Sequence, residues 1–188
     1  NNTTGSNNVA SGKSSLSANT EGSYNIAIGY QSLMSNTTAD RNIAIGKEAL
    51  KLNTTGTRNI AIGADAYNNA DTENDNLAIG YDALGAAING GEYNVAVGNY
   101  TLDANTEGDA NVAVGYNALS ANTTGANNTA LGYQAGDVIT TGDYNVIIGT
   151  SSDPSGADAQ NQIVIGYGAT GTTDNTVLLG NGSITNWL

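Results

Sequence analysis

Residues 25–63 read NIAIGYQSLMSNTTADRNIAIGKEALKLNTTGTRNIAIG, three copies of Asn-Ile-Ala-Ile-Gly with glycines at 29, 46 and 63. Carried outward, the pentapeptide recurs eleven times, its glycines at 12, 29, 46, 63, 80, 98, 115, 132, 149, 166 and 180. Every interval is 17 residues except one of 18 (80 to 98) and the last of 14. A fixed period over nearly a whole chain is the mark of a solenoid, in which each repeat packs mainly on its neighbours.

Within the pentapeptide the large apolar residues alternate, as in Ile26 and Ile28, Ile43 and Ile45, Ile60 and Ile62, Val95 and Val97, Val112 and Val114. Period two with β-branched residues predicts a strand. A second segment places Leu16, Leu33, Leu50, Leu84, Leu102 and Leu119 four residues past the glycine, with Tyr67 in the fourth copy. Turn clusters such as SNTTAD, LNTTGT and ANTEGD follow. The expected coil is therefore two short strands and two turns, and the fold class is all-β, a parallel β-roll or β-helix with coils of about 17 residues. Helical repeats need about 33 residues or more per unit, too many for this period. Stacking at about 4.8 Å per coil gives a rod on the order of 50 Å. Residues 1–180 form the repeat domain, about ten coils, and 181–188 an exit segment.

Stacked coils bring like residues into columns. Asn8, Asn25, Asn42, Asn59, Asn76, Asn94, Asn111, Asn128 and Asn145 make one, and Asn19, Asn36, Asn53, Asn105 and Asn122 another. Their amides are expected to hydrogen-bond along the axis, satisfying polar groups that turns bury. The glycine column implies a backbone with φ > 0 or no room for a Cβ. If the paired Ile and Val fill the coil, the residue between them faces outward. That column, Ala27, Ala44, Ala61, Ala78, Ala96, Ala113, Ala130, Ile147, Val164 and Leu178, would then be a dry surface for another copy of the chain, a homotrimer interface. A monomer with a small-residue face is the alternative.

Composition removes several functions. Five Lys and Arg against 17 Asp and Glu give a net charge of −12, which argues against nucleic acid and anionic membranes. Without Cys or His there is no thiolate metal site, disulfide or nucleophilic triad. No cofactor motif is present, and no apolar run approaches a membrane span. Any export signal would lie outside this segment.

The forms NIAIG, NVAVG and NTALG resemble the head repeats of trimeric autotransporter adhesins of the YadA-like type, and runs such as NALSANTTGANNTALG and NTALGYQAG resemble repeats of phage tail fibres that precede an intramolecular chaperone. The ending NTVLLGNGSITNW resembles the exit from such repeats toward a neck or chaperone. The resemblance spans nearly the whole chain. It implies a trimeric, extracellular, structural or adhesive fibre segment on a cell-surface appendage or virion. This chain departs from the 14-residue coils favoured by adhesin heads.

Candidate ligand-binding residues are the tyrosines directly after the glycines, Tyr30, Tyr81, Tyr116, Tyr133 and Tyr167, whose rings would stack on sugars or a host receptor. Tyr24, Tyr93 and Tyr144 form a second set beside the first Asn column. The aligned Thr20, Thr37, Thr54, Thr106, Thr123 and Thr140 raise an ice-binding array, and Asp65, Asp71, Glu73, Asp75 and Asp82 a calcium site or a solvated acidic bulge. A glycan-cleaving carboxylate pair and a purely structural spacer complete the alternatives. The favoured reading names no catalytic residue, metal ligand or cofactor, and its partners are other copies of the chain and a cell-surface glycan or protein.

Overall fold

The structure, a computed structural model, describes residues 2–86 and 90–183. It is an all-β parallel solenoid of about ten coils. Among the described residues eleven strands run in chain order: β1 (Val9–Ser11), β2 (Ile26–Ile28), β3 (Ile43–Ile45), β4 (Ile60–Ile62), β5 (Leu77–Ile79), β6 (Val95–Val97), β7 (Val112–Val114), β8 (Thr129–Leu131), β9 (Val146–Ile148), β10 (Ile163–Ile165) and β11 (Val177–Leu179). Each pairs parallel with the next, in one sheet whose order is the chain order. Register is in step with the repeat: Ile43 pairs with Ile60, Ala44 with Ala61 and Ile45 with Ile62. Of the exit segment expected over 181–188, residues 184–188 lie outside the described residues, and a turn follows β11.

The second segment of each coil is not a strand. It is a run of turns in which alternate residues adopt the left-handed conformation, Gln31 (φ 56°) and Leu33 (φ 47°) in one coil, Glu48 (φ 59°) and Leu50 (φ 49°) in the next. Each such residue costs roughly 1–2 kcal/mol. Backbone bonds to the flanking coils offset that cost. Gln31 N–H donates to Lys13 O on one side, and Leu33 N–H donates to Ala49 O on the other. The alternating twist tightens the coil enough that consecutive residues, Ala49 and Leu50, both point inward and are fully buried.

That tightness reverses the expected facing of the sheet. Ala27, Ala44, Ala61, Ala78, Ala96, Ala113, Ala130, Ile147 and Val164 are buried to 1% exposure or less inside a single chain, and Leu178 is half-buried. They are core and not an intermolecular surface. The Ile and Val residues that flank them stand on the outer face, Ile28 at 40% and Ile62 at 36% exposure. The interior of most coils is filled by one leucine, such as Leu50, and small residues such as Ala44 and Ala49, and the isoleucine pair is left outside.

Interior volume is conserved along the rod. Leu119 and Ala113 belong to the same buried cluster. One coil further on, the leucine position becomes Gly136, and Ile139 and Ile147 enter the core as it does. A Cβ built on Gly136 would lie 3.0 Å from Leu119 Cδ2 and 3.4 Å from Ile139 Cδ1, which shows what fills the space. The change from Ala to Ile147 and Val164 thus replaces lost leucine volume.

Two amide columns hold the corners. In the first, the backbone N–H of each Asn from Asn25 to Asn145, and of Gln162 after it, donates to the side-chain oxygen one coil before, at 2.8–3.0 Å. The side-chain Nδ2 reaches a backbone carbonyl one coil on, as from Asn42 to Gly56 at 2.7 Å. In the second, amides stack directly, Asn36 Nδ2 on Asn19 Oδ1 at 2.8 Å and Asn122 Nδ2 on Asn105 Oδ1 at 2.8 Å. It stops where Ala70 and Ile139 take the next rung, and Asn53 Oδ1 and Asn122 Oδ1 are left buried without a partner. Beside Ala70, Glu73 occupies a position held by glycine in most coils, and its carboxylate accepts the backbone N–H groups of Asp71 (3.0 Å) and Thr72 (3.1 Å).

Ten glycines, from Gly12 to Gly166, have φ between 135° and 143°. At Gly63 a Cβ would stand 2.2 Å from Gly80 O. Both reasons expected for the column, positive φ and no space, apply together.

Candidate binding surface

Immediately past the glycine the chain leaves the sheet, and side chains there project beside the sheet's edge. Tyr30, Tyr81, Tyr116, Tyr133 and Tyr167 are all exposed. The fold brings three of them into one array with a residue the sequence pattern passes over, Tyr100. Tyr81 and Tyr100 meet edge to face with centroids 5.3 Å apart, and Tyr100 and Tyr116 likewise at 5.8 Å. Tyr116 and Tyr133 are stacked at 5.5 Å and 10°. Four successive coils therefore carry an unbroken row of rings. No ring contact among the described residues joins Tyr30 or Tyr167 to it.

Tyr100 escapes the pattern because Asn99 holds the position after Gly98, where its Oδ1 accepts the Tyr81 N–H at 2.8 Å. Tyr100 comes one residue later, and its left-handed backbone (φ 57°) places its ring between Tyr81 and Tyr116. A tyrosine following Asn in the one coil after the 18-residue interval was the available signal.

Beside the row lies a cleft of about 450 Å³ lined by Tyr100, Asp103, Tyr116, Asn117, Ser120 and Ala121. Asp103 Oδ1 and Asn117 Oδ1 are both buried and unpartnered. Burial, with a smaller contribution from the charge of Asp82, pushes the Asp103 carboxyl above its ordinary range. Asp82 is itself raised by burial and by Asp65.

The other columns are occupied with holding coils together. Thr20, Thr37, Thr106 and Thr123 donate their hydroxyls to carbonyls one coil on, at 3.0–3.2 Å, so they are not a free hydroxyl array. The acidic set disperses. Asp65 lies 3.7 Å from Lys47, Asp71 accepts from Thr54, and Asp75 takes Arg58 in a two-bonded pair that holds its carboxyl below the usual range. Among the described residues no three acidic groups stand close enough to share a metal ion. Asp40, Asp109 and Asp143 each accept a backbone N–H from the preceding coil, at 2.6–2.8 Å. Tyr24 carries the Arg41 guanidinium over its ring at 5.8 Å.

Asp153 stands where earlier coils have leucine. Its Oδ1 is buried and unpartnered, and burial, aided by the charge of Asp137, pushes its carboxyl up to about 6. A raised folded-state value means the folded protein binds the proton more tightly than the unfolded chain, so stability falls as pH rises from about 4 through 6. The expected result is that the melting temperature of the native chain drops between pH 4 and 7 by more than that of Asp153→Asn. Parallel thermal melts across that range check it, and equal slopes would remove the effect.

No helix among the described residues is long and apolar enough to cross a membrane. Compared with protein-family models, curated protein sequences and solved structures, the chain matches none of them.

Proposed function

We propose that this chain is a non-enzymatic, self-associating segment of an extracellular fibre, a trimeric shaft or head that attaches to a cell or host surface. The observation that carries the reading is the outer face of the sheet. It bears Ile, Val and Leu on strand after strand, and among the described residues Ile28, Ile62, Val112, Leu131 and Ile165 keep 36–48% of their surface exposed. An apolar face of this length marks an interaction surface. Its dimensions, roughly 50 Å by 10 Å from strand spacing and rise, give about 500 Å² per chain. Two such faces pressed together bury about 1,000 Å², the floor for a specific interface, and each chain contributes the same area whether two or three copies share it. The resemblance of the repeats to trimeric head repeats supports three copies around a shared axis, lined by isoleucine and valine in place of the alanine column.

A stack of identical rungs suits a mechanical role, since a rod repeats weak contacts and three chains multiply them. The purely structural spacer is the second reading, and the well-partnered threonine, asparagine and aspartate columns favour it away from the tyrosine row.

Light scattering tests the assembly. The native chain is expected at three times 19.0 kDa and Ile28→Lys/Ile62→Lys at 19.0 kDa with its circular dichroism unchanged, because both positions are already part-exposed. A native chain that runs as a monomer would sink the reading.

A further inference from the structure

The tyrosine row and its cleft have features the fold does not use. Asp103 Oδ1 and Asn117 Oδ1 are buried and have no donor, although both residues line an open cleft into which a turn of either side chain would bring its oxygen. A buried acceptor without a partner has lost its hydrogen bonds to water and gained none, so a donor that reaches it is favoured. Tyr81, Tyr116 and Tyr133 expose 44%, 43% and 49% of their surface, an aromatic strip with polar tips. All five basic residues, Lys13, Arg41, Lys47, Lys51 and Arg58, precede the row, and none occurs after residue 58. Nothing near the cleft therefore offers a positive charge to a carboxylate, sulfate or phosphate. The surface supplies apolar ring faces and hydrogen-bond acceptors.

A linear neutral saccharide has the complementary chemistry: apolar C–H faces, hydroxyl donors, no negative charge, and rings recurring along a line as the coils do at about 4.8 Å. We propose that Tyr81, Tyr100, Tyr116 and Tyr133 form a binding strip for one strand of a neutral oligosaccharide, whose hydroxyls donate to Asp103 and Asn117 as those side chains turn into the cleft. The strip names the ligand class for the attachment reading above and rests on that reading only for its biological setting.

Calorimetric titration of the 188-residue chain tests it, with cellohexaose, chitohexaose and mannohexaose as neutral probes, a glucosamine hexamer as the cationic probe and a hyaluronan hexasaccharide as the anionic one. At least one neutral hexamer should bind. Tyr116→Ala should weaken it tenfold or more, Tyr100→Ala/Tyr116→Ala should abolish it, and Asp103→Ala should weaken it about fivefold. Tyr30→Ala, outside the row, should leave it unchanged. Thermal melts of the same samples confirm folding, and Tyr133→Ala serves if Tyr116→Ala melts early. Binding of the glucosamine hexamer alone, of hyaluronan alone, or of no probe overturns the proposal, as does an equal loss in Tyr30→Ala. Light scattering on the same samples separates the two ideas. A trimer that binds no sugar overturns the strip and keeps the fibre, whereas a sugar-binding monomer keeps the strip and overturns the assembly.

Discussion

Gly63→Ala lowers the melting temperature by about 6–20 °C, among the larger losses expected from adding a single methyl group to the described coils. The methyl would sit 2.2 Å from Gly80 O, a backbone atom that cannot move without displacing the next coil. The φ of 141° adds strain of about 1–3 kcal/mol for any residue with a Cβ. Together these cost about 3–5 kcal/mol of a total that in globular domains is only about 5–15 kcal/mol. For a chain of this length, roughly 2–4 °C is lost per kcal/mol. Gly90→Ala separates the two causes, because Gly90 shares the positive φ (131°) but among the described residues a Cβ there meets nothing within 4 Å. It should lose only the strain. Equal shifts in the two variants would show that the close approach between coils contributes nothing.

Asn42→Ala should be nearly as damaging, at about 2–4 kcal/mol by chemical denaturation. The change removes the oxygen that accepts Asn59 N–H at 2.9 Å and the amide that donates to Gly56 O at 2.7 Å. Asn59 N–H is then buried without a partner, at roughly 1–3 kcal/mol, while Gly56 O keeps its bond from Asn53 Nδ2 at 3.0 Å. Asn42→Asp retains the acceptor and loses the donor, and it buries a charge against a carbonyl. Its stability should improve on acidification, as the carboxyl gains a proton it can donate to Gly56 O. An Asn42→Ala variant within 0.5 kcal/mol of the native chain, an ordinary surface value, would remove the amide column from the account of stability.

The period, the strand positions, the in-step register and both amide columns were legible in the sequence, since each follows from identical residues stacking at a fixed interval. The facing of the strand was not. Ile-Ala-Ile states that alanine and isoleucine lie on opposite faces, but alternation is silent about which face is inside. Coil radius decides that, and the radius is set by left-handed backbone at Gln31, Leu33, Glu48 and Leu50, of which leucine is among the residues least suggestive of such a turn. The same turns explain why the segment with leucine is not a strand, although its spacing suits one. Tyr100 was hidden for a related reason. Membership of the aromatic row depends on where a twisted turn sends a ring, and counting from the glycine gives only the position of its Cα. The exposed tyrosines after the glycines could be found by counting, and their grouping around one cleft could not.

The in-step register has a consequence for the length of the molecule. Because Ala27 pairs with Ala44 and Ala44 with Ala61, residue for residue, the cut surface above this coil matches the cut surface below it. Removing residues 30–46 would join Gly29 to Lys47 and present Asn42's role to Asn25 with no change in cross-section. A gene encoding such a chain can gain or lose reach in whole steps of about 4.8 Å by unequal crossing-over between its repeats, with each product foldable at once. The rod is a ruler whose graduations are its own heritable units.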